Sequence, residues 1–311
     1  MNATAMPHDR RARDTPGMPT FGEWVSGARP RTLPISIAPV IAGTATAYAA
    51  GSFKIIPALL ALLVSVSLQI GVNFANDYSD GIRGTDERRV GPMRLVGSGV
   101  ARPVLVKRAA FGCFGLAALL GLILMILSAQ WWLLPVGVAC ILAAWYYTGG
   151  KHPYGYIGLG EIFVFVFFGL VAVCGTTLVQ LGRIDLPTIL VAIGVGLLAD
   201  AVLVSNNLRD IPGDTVSGKR TLATRIGDRA TRWLFAGLAA GAAIAFVITA
   251  AQTSWWALLA LAGIGYLAPQ VITVLRGAVG PGLIPALKAA GLADLISAVG
   301  LAVGLIIASL I

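Results

Sequence analysis

The chain has 311 residues, of which 57% are hydrophobic and only 12% charged, against about 25% charged in soluble globular domains. With repeated long apolar runs and no strand-style alternation, this excludes an ordinary soluble domain and a membrane β-barrel, and predicts an all-α polytopic membrane protein. The formal charge of +9 resides in loops between the apolar runs, which argues for topology and phosphate chemistry and against a nucleic-acid partner.

Residues 1–20 are polar, carry Pro, Asp and Arg, and predict a disordered cytoplasmic tail. Arg10-Arg11 is followed by no apolar stretch until about residue 33, so a cleaved signal is not expected. FGEWVSGARPR, residues 21–31, reads as a short interfacial segment anchored by Trp24. Nine spans are then predicted, roughly 33–51, 55–76, 104–128, 131–148, 159–181, 186–208, 230–251, 254–275 and 290–311, within one transmembrane domain of residues 21–311. Cys113, Cys140 and Cys174 lie inside apolar runs without metal-ligand spacing and read as small hydrophobes. Of the 23 Lys and Arg, only Lys54 and Arg183 fall on the second side of the membrane. The positive-inside rule therefore makes the other face cytoplasmic and puts the C-terminus outside.

Two stretches carry chemistry. The second span runs into QIGVNFANDYSDGIRGTD, residues 69–86, where Gln69, Asn73, Asn76, Asp77 and Asp80 recur at helical spacings of three and four. Acids and amides at a membrane edge are costly to insert and need a partner. The sixth span ends in the same way, in SNNLRDIPGD, residues 205–214, with Asn206, Asn207, Arg209, Asp210 and Asp214. Pro212 is expected to break this helix and leave Asp214 in a turn. Asp77, Asp80, Asp86, Asp210 and Asp214 are hard oxygen donors suited to Mg²⁺ that shares its site with a diphosphate. Arg83, Lys151, Arg209, Lys219 and Arg220 are candidate clamps on the diphosphate oxygens. For Asp86, Glu87, Arg88 and Arg89 mutual neutralisation on a wet surface is the alternative. Asp200, two turns deeper on the face of Asn207, either takes part in catalysis or orients the asparagines, and Glu161 and Asp294 are further intramembrane acids. Tyr146, Tyr147, Tyr154 and Tyr156 surround the loop TGGKHP and either stack on a flat substrate or anchor at the interface.

NDYSD followed by GTD, NNLRDIPGD running into SGKRTLATRIG, ARPRTLPISIAPVIAG near the start and YYTGGKHPYGYIGLGEIFVFVFFG in the middle occur in that order. In these motifs, from about Trp24 to Gly227, the chain resembles the UbiA superfamily of intramembrane prenyltransferases. Within it, the chain is most similar to the 1,4-dihydroxy-2-naphthoate polyprenyltransferases. Gly84 stands where the superfamily's NDxxDxxxD has its third aspartate, which leaves Asp86 as substitute. Val204 and Asn207 stand where its YxxKxxDxxxD has Tyr and Lys, which points away from the hydroxybenzoate branch.

The resemblance implies two helical halves around a central cavity capped on the cytoplasmic side, in a bacterial cell membrane. It implies a polyprenyl diphosphate held through Mg²⁺, its tail in a groove open to membrane lipids. Transfer to 1,4-dihydroxy-2-naphthoate with loss of carbon dioxide would give demethylmenaquinone. Metal would be held by Asp77, Asp80, Asp210 and Asp214, and substrate positioned by Asn73 and Asn76. Lys151 or Arg209 would clamp the diphosphate or the acceptor's carboxylate, with Asn206, Asn207, Tyr147 and Tyr154 as further substrate contacts. Another acceptor (homogentisate, hydroxybenzoate or haem) stays open, as does a cation transporter, which is disfavoured because only Asp185 lies toward the second face.

Overall fold

The computed structural model describes residues 18–84 and 93–311. The predicted tail up to residue 17, and Asp86, Glu87, Arg88 and Arg89, lie outside the described residues. Among the described residues every regular element is helical.

Thr20 opens α1 (Phe21–Ala28) through a reciprocal capping box with Glu23. Arg29, in a left-handed conformation, and a single 3₁₀ turn then lead into α2 (Pro34–Ala49), bent by 53° from the segment before it. α3 (Ile55–Arg83) stops at the left-handed Gly84. α4 (Pro103–Ser128) and α5 (Leu133–Tyr146) follow. A loop with one 3₁₀ turn at Tyr154–Tyr156 leads to α6 (Gly160–Val164), which passes through a π-helical stretch, Phe165–Val171, into α7 (Ala172–Leu181). The chain closes with α8 (Leu186–Val216), α9 (Leu222–Gln252, kinked at Gly227), α10 (Leu261–Leu275) and α11 (Ile284–Leu310).

Seven helical stretches are long and apolar enough to cross a membrane, or eight if the bent pair before residue 50 counts as one span. α5, predicted as a span over 131–148, has only 14 helical residues, about 21 Å against a hydrocarbon core of about 30 Å. Turns at 131–132 and 147–148 take its expected ends.

Pro212 does not break the sixth predicted span: α8 continues through it to Val216. Pro212 is exposed and one turn from the helix end. Its missing N–H forfeits a single bond, where carbonyls are soon unpaired in any case. Asp214 is therefore one helical step beyond Asp210 rather than in a turn.

α8 is the axis of the molecule. In its most apolar window 72% is buried, against 22% in that of α3, part of whose open surface lines the cavity described below. α8 packs against α9, α11 and α2, and α3 packs against α4. The π-helical stretch meets α8 backbone to backbone: a Cβ on Gly169 would lie 2.7 Å from the Ala192 carbonyl oxygen. Beyond that contact, α7 is fastened to α2 by hydroxyls and an amide, with Thr46 Oγ1 and Thr177 Oγ1 2.7 Å apart and Gln180 Nε2 donating to Thr44 Oγ1 at 2.9 Å.

Candidate active site

α3 and α8 each turn one stripe of side chains toward a shared cavity of about 840 Å³. On α3 the stripe reads Ala61, Val64, Ser65, Leu68, Gln69 and Val72, mainly apolar, then Asn73, Asn76 and Asp80. On α8 it reads Ala199, Val202 and Leu203, then Asn206, Asn207 and Asp214. Both stripes therefore pass from apolar to polar toward the same end, which makes that end a polar mouth. Ala61 to Asp80 spans about 28 Å at 1.5 Å per residue, nearly the depth of a hydrocarbon core. The remaining wall includes Leu124, Met125, Phe163 and Phe167.

At the mouth Asp80 is the electrostatic centre. It accepts a hydrogen bond from Tyr156 Oη, lies 3.3 Å from Lys219 Nζ and 3.9 Å from Arg94 Nη2, and all four side chains line the cavity. Lys219 also sits 4.5 Å above the Tyr156 ring. Burial first, and then the Asp80 carboxylate, hold the Tyr156 phenol well above its ordinary range, so it stays a proton donor. Arg29 and Thr32 complete the rim on the α2 side.

Asp77 does something different. The sequence reading gives it a metal, whereas both its oxygens accept backbone amides, from Leu95 at 2.7 Å and Val96 at 3.0 Å. It is fully buried and anchors the chain returning from the loop after α3, which delivers Arg94 to the rim. Asp210 is likewise engaged by its neighbours, with Arg209 Nε at 2.7 Å and Nη2 at 2.8 Å. Neither Asp210 nor Arg209 lies on the cavity wall.

The other predicted contacts separate in the same way. Asn73 lines the cavity and donates to the Ala28 carbonyl and to Thr32 Oγ1 at 2.8 and 3.0 Å. Asn76 lines it too and accepts from Thr148 Oγ1 at 2.7 Å. Tyr147 and Tyr154 face the cavity, Tyr154 Oη donating to the Ala143 carbonyl at 2.9 Å. Arg83 is not on the wall; it donates to the carbonyls of Thr148 and Gly150 and so staples the loop after α5 to the end of α3. Lys151 is exposed and off the wall. Arg220, also exposed, is off the main wall and lines a second depression with Arg225 and with Lys219, which borders both. Sequence reasoning assigned no role to Arg29 or Arg94. Arg29 stands in the ARPR motif, but Arg94 follows a loop and carries no local signal.

The donor set at the mouth fits Mg²⁺. Asp80 and Asp214 line the cavity with carboxylates, and the amides of Asn76 and Asn206 line it too, their oxygens accepting from Thr148 Oγ1 and Arg209 Nη2. Among the described residues no three acidic, Cys or His side chains converge into a closed cage. Mg²⁺ typically takes one or two protein carboxylates and completes its shell with water and substrate phosphates.

A polar mouth over a long apolar trough, set in a multi-helix membrane bundle, suits a lipid substrate with an anionic head. The profile of the UbiA prenyltransferase family matches residues 36–279, and the chain belongs to that family of membrane prenyltransferases. It is 52% identical over 289 residues to the 1,4-dihydroxy-2-naphthoate octaprenyltransferase of Mycobacterium tuberculosis (strain ATCC 25618 / H37Rv), covering 92% of this chain and 97% of that one. It is 49% identical over 296 residues to the enzyme of the same name from Mycobacterium leprae (strain TN), covering 94% and 98%. The fold matches a UbiA homolog from Archaeoglobus fulgidus bound to DMAPP and Mg²⁺ with a TM-score of 0.56 at 15% identity, covering 93% of this chain and 99% of that one.

Proposed function

We propose that this chain transfers a polyprenyl group from polyprenyl diphosphate to 1,4-dihydroxy-2-naphthoate, with loss of the ring carboxylate as carbon dioxide and release of diphosphate, giving demethylmenaquinol, the hydroquinone of demethylmenaquinone. The observation that carries the reading is the pair of stripes on α3 and α8, apolar below and polar at one mouth, around a cavity about 28 Å deep. The naming of the mycobacterial relatives supports the acceptor. Residues 21–311 form one domain of nine spans, with α5 as a short one. The mouth faces the cytoplasm of a bacterial cell membrane, as the distribution of Lys and Arg favours, and the loops around it form the cap.

Asp80 and Asp214, assisted by Asn76 and Asn206, are the residues that would hold Mg²⁺, which when bound neutralises the diphosphate and improves it as a leaving group. Lys219, Arg94 and Arg29 meet the diphosphate oxygens, and Tyr156 holds its proton at Oη beside them. The apolar wall below takes the prenyl tail and keeps water from the allylic carbon as positive charge develops there. Tyr147 and Tyr154 offer ring faces to the acceptor and to that charge. Asp77, Asp210 with Arg209, and Arg83 hold these groups in place.

Purified protein in proteoliposomes, given Mg²⁺, a polyprenyl diphosphate and a panel of aromatic acceptors, tests the reading by mass spectrometry. Acceptor labelled at its carboxylate carbon is expected to lose label in step with prenylated product, and only with both Mg²⁺ and diphosphate present. Product that retains the carboxylate, or turnover of homogentisate or hydroxybenzoate with indifference to this acceptor, overturns the assignment.

A further inference from the structure

Glu161 and Asn207 form a buried pair that the diphosphate chemistry leaves unused. Asn207 lies on the cavity wall beside Asn206, seven residues before Asp214 on α8 and so about 10 Å along the helix from that carboxylate. Its Nδ2 donates to Glu161 Oε1 at 3.0 Å. Glu161 opens α6, is only 8% exposed, and its second oxygen has no hydrogen-bond partner. A carboxyl group in a membrane span with half its hydrogen-bonding capacity idle is costly, and such groups mark function by default.

We propose that Glu161 locks the Asn207 amide so that its carbonyl oxygen faces the cavity, which makes Asn207 the acceptor for a ring hydroxyl of the aromatic substrate. This rests on the prenyl-acceptor reading above. An asparagine amide has a donating and an accepting end of nearly equal shape. Left unheld, it turns over and reads a carbonyl as readily as a hydroxyl. With one N–H committed to Glu161 the amide is held against turning over, and its carbonyl oxygen stays available to a donor in the cavity. The neighbourhood suits a flat ring. A Cβ on Gly160 would stand 3.2 Å from Leu203 and 3.6 Å from the Tyr147 ring, and Leu203, Tyr147 and Asn207 share the cavity wall. A hydroxyl bonded there sits below the diphosphate, and the bond pushes electron density into the ring that must attack the allylic carbon. Glu161 is off the wall and is a positioning residue acting through Asn207.

The test compares wild type, Glu161→Leu, Glu161→Gln and Asn207→Leu in proteoliposomes, with the dihydroxynaphthoate and each of its mono-O-methyl ethers. Wild type is expected to prefer the free hydroxyl over one of the two ethers by at least about 100-fold in kcat/KM. Glu161→Leu is expected to reduce that preference below about tenfold and raise the KM for acceptor, with the KM for polyprenyl diphosphate unchanged. Glu161→Gln, whose carbonyl can still accept from Asn207, restores most of the preference, and Asn207→Leu removes it. An undiminished preference in Glu161→Leu, or equal rises in both KM values, overturns the proposal and leaves a tie between α6 and α8. If Glu161→Leu does not insert, an undiminished preference in Asn207→Leu overturns it equally. If wild type uses a different hydroxylated acceptor, the same ratio is measured with that acceptor's ether, and only the choice of ring falls.

Discussion

The ends of α3 and α8 look alike in sequence, and each divides its two aspartates between different tasks. In α3, Asp77 is spent on the amides of Leu95 and Val96, while Asp80 faces the cavity among Lys219, Arg94 and Tyr156. In α8, Asp210 is spent on Arg209 while Asp214, one turn on, lines the cavity. A helical turn thus separates the acid held by its own neighbours from the acid that faces the cavity. An acid-rich motif read as one metal-binding unit merges two roles that have different consequences when removed.

The largest expected effect is at the cavity-facing pair. Asp80→Asn or Asp214→Asn is expected to lower turnover by about 100- to 1000-fold, with the unfolding temperature in detergent shifting by less than about 3 °C. EDTA is expected to abolish wild-type turnover, and excess Mg²⁺ to restore wild type but neither variant. Asp77→Asn sharpens the contrast. It sets an NH₂ against a backbone N–H in a buried site, at a cost of about 1–3 kcal/mol. The unfolding temperature is expected to drop by several degrees and the folded fraction to keep about a tenth of its turnover. An Asp77→Asn protein as stable as wild type but inactive would break the division of roles.

Smaller effects fall on the ring of supports. Tyr156→Phe removes the donor to Asp80 and is expected to cost roughly tenfold in turnover. Because burial and Asp80 raise the phenol above its ordinary value, Tyr156 stays protonated across about pH 6–9. Wild type and Tyr156→Phe should therefore share the same pH profile in that window, and a basic limb lost in the variant would contradict this. The smallest effect is at Lys151, which is exposed. Lys151→Ala is expected to change the acceptor KM by less than about twofold, and a tenfold rise would return the carboxylate clamp to this residue.

The helices were legible because hydropathy is a collective signal, and so were the polar stripes, because Gln69 to Asp80 keep a helical period. The tasks of individual carboxylates were not. Asp77 is defined by amides 18 residues further along the chain, and no local pattern shows that return. Pro212 misleads for a related reason, since the cost of a proline depends on how near the helix end it falls. The short α5 was overestimated because Trp131, Trp132 and Tyr147 at its expected ends sit in turns, which composition does not distinguish from helix.

The π-helical stretch at Phe165–Val171 acts as a phase shifter. An α-helix advances about 100° per residue, so one extra residue in this rod would rotate everything after it by that angle if no wider turn absorbed it. Phe163 and Phe167 would still address the trough, but Thr177 and Gln180 would swing away from Thr46 and Thr44 on α2. The wider turn lets one continuous rod keep two registers, one set by the cavity and one by its neighbour helix. A single-residue deletion within Phe165–Val171 is therefore expected to be tolerated better than one within α7, because it returns the stretch to ordinary α-helical pitch.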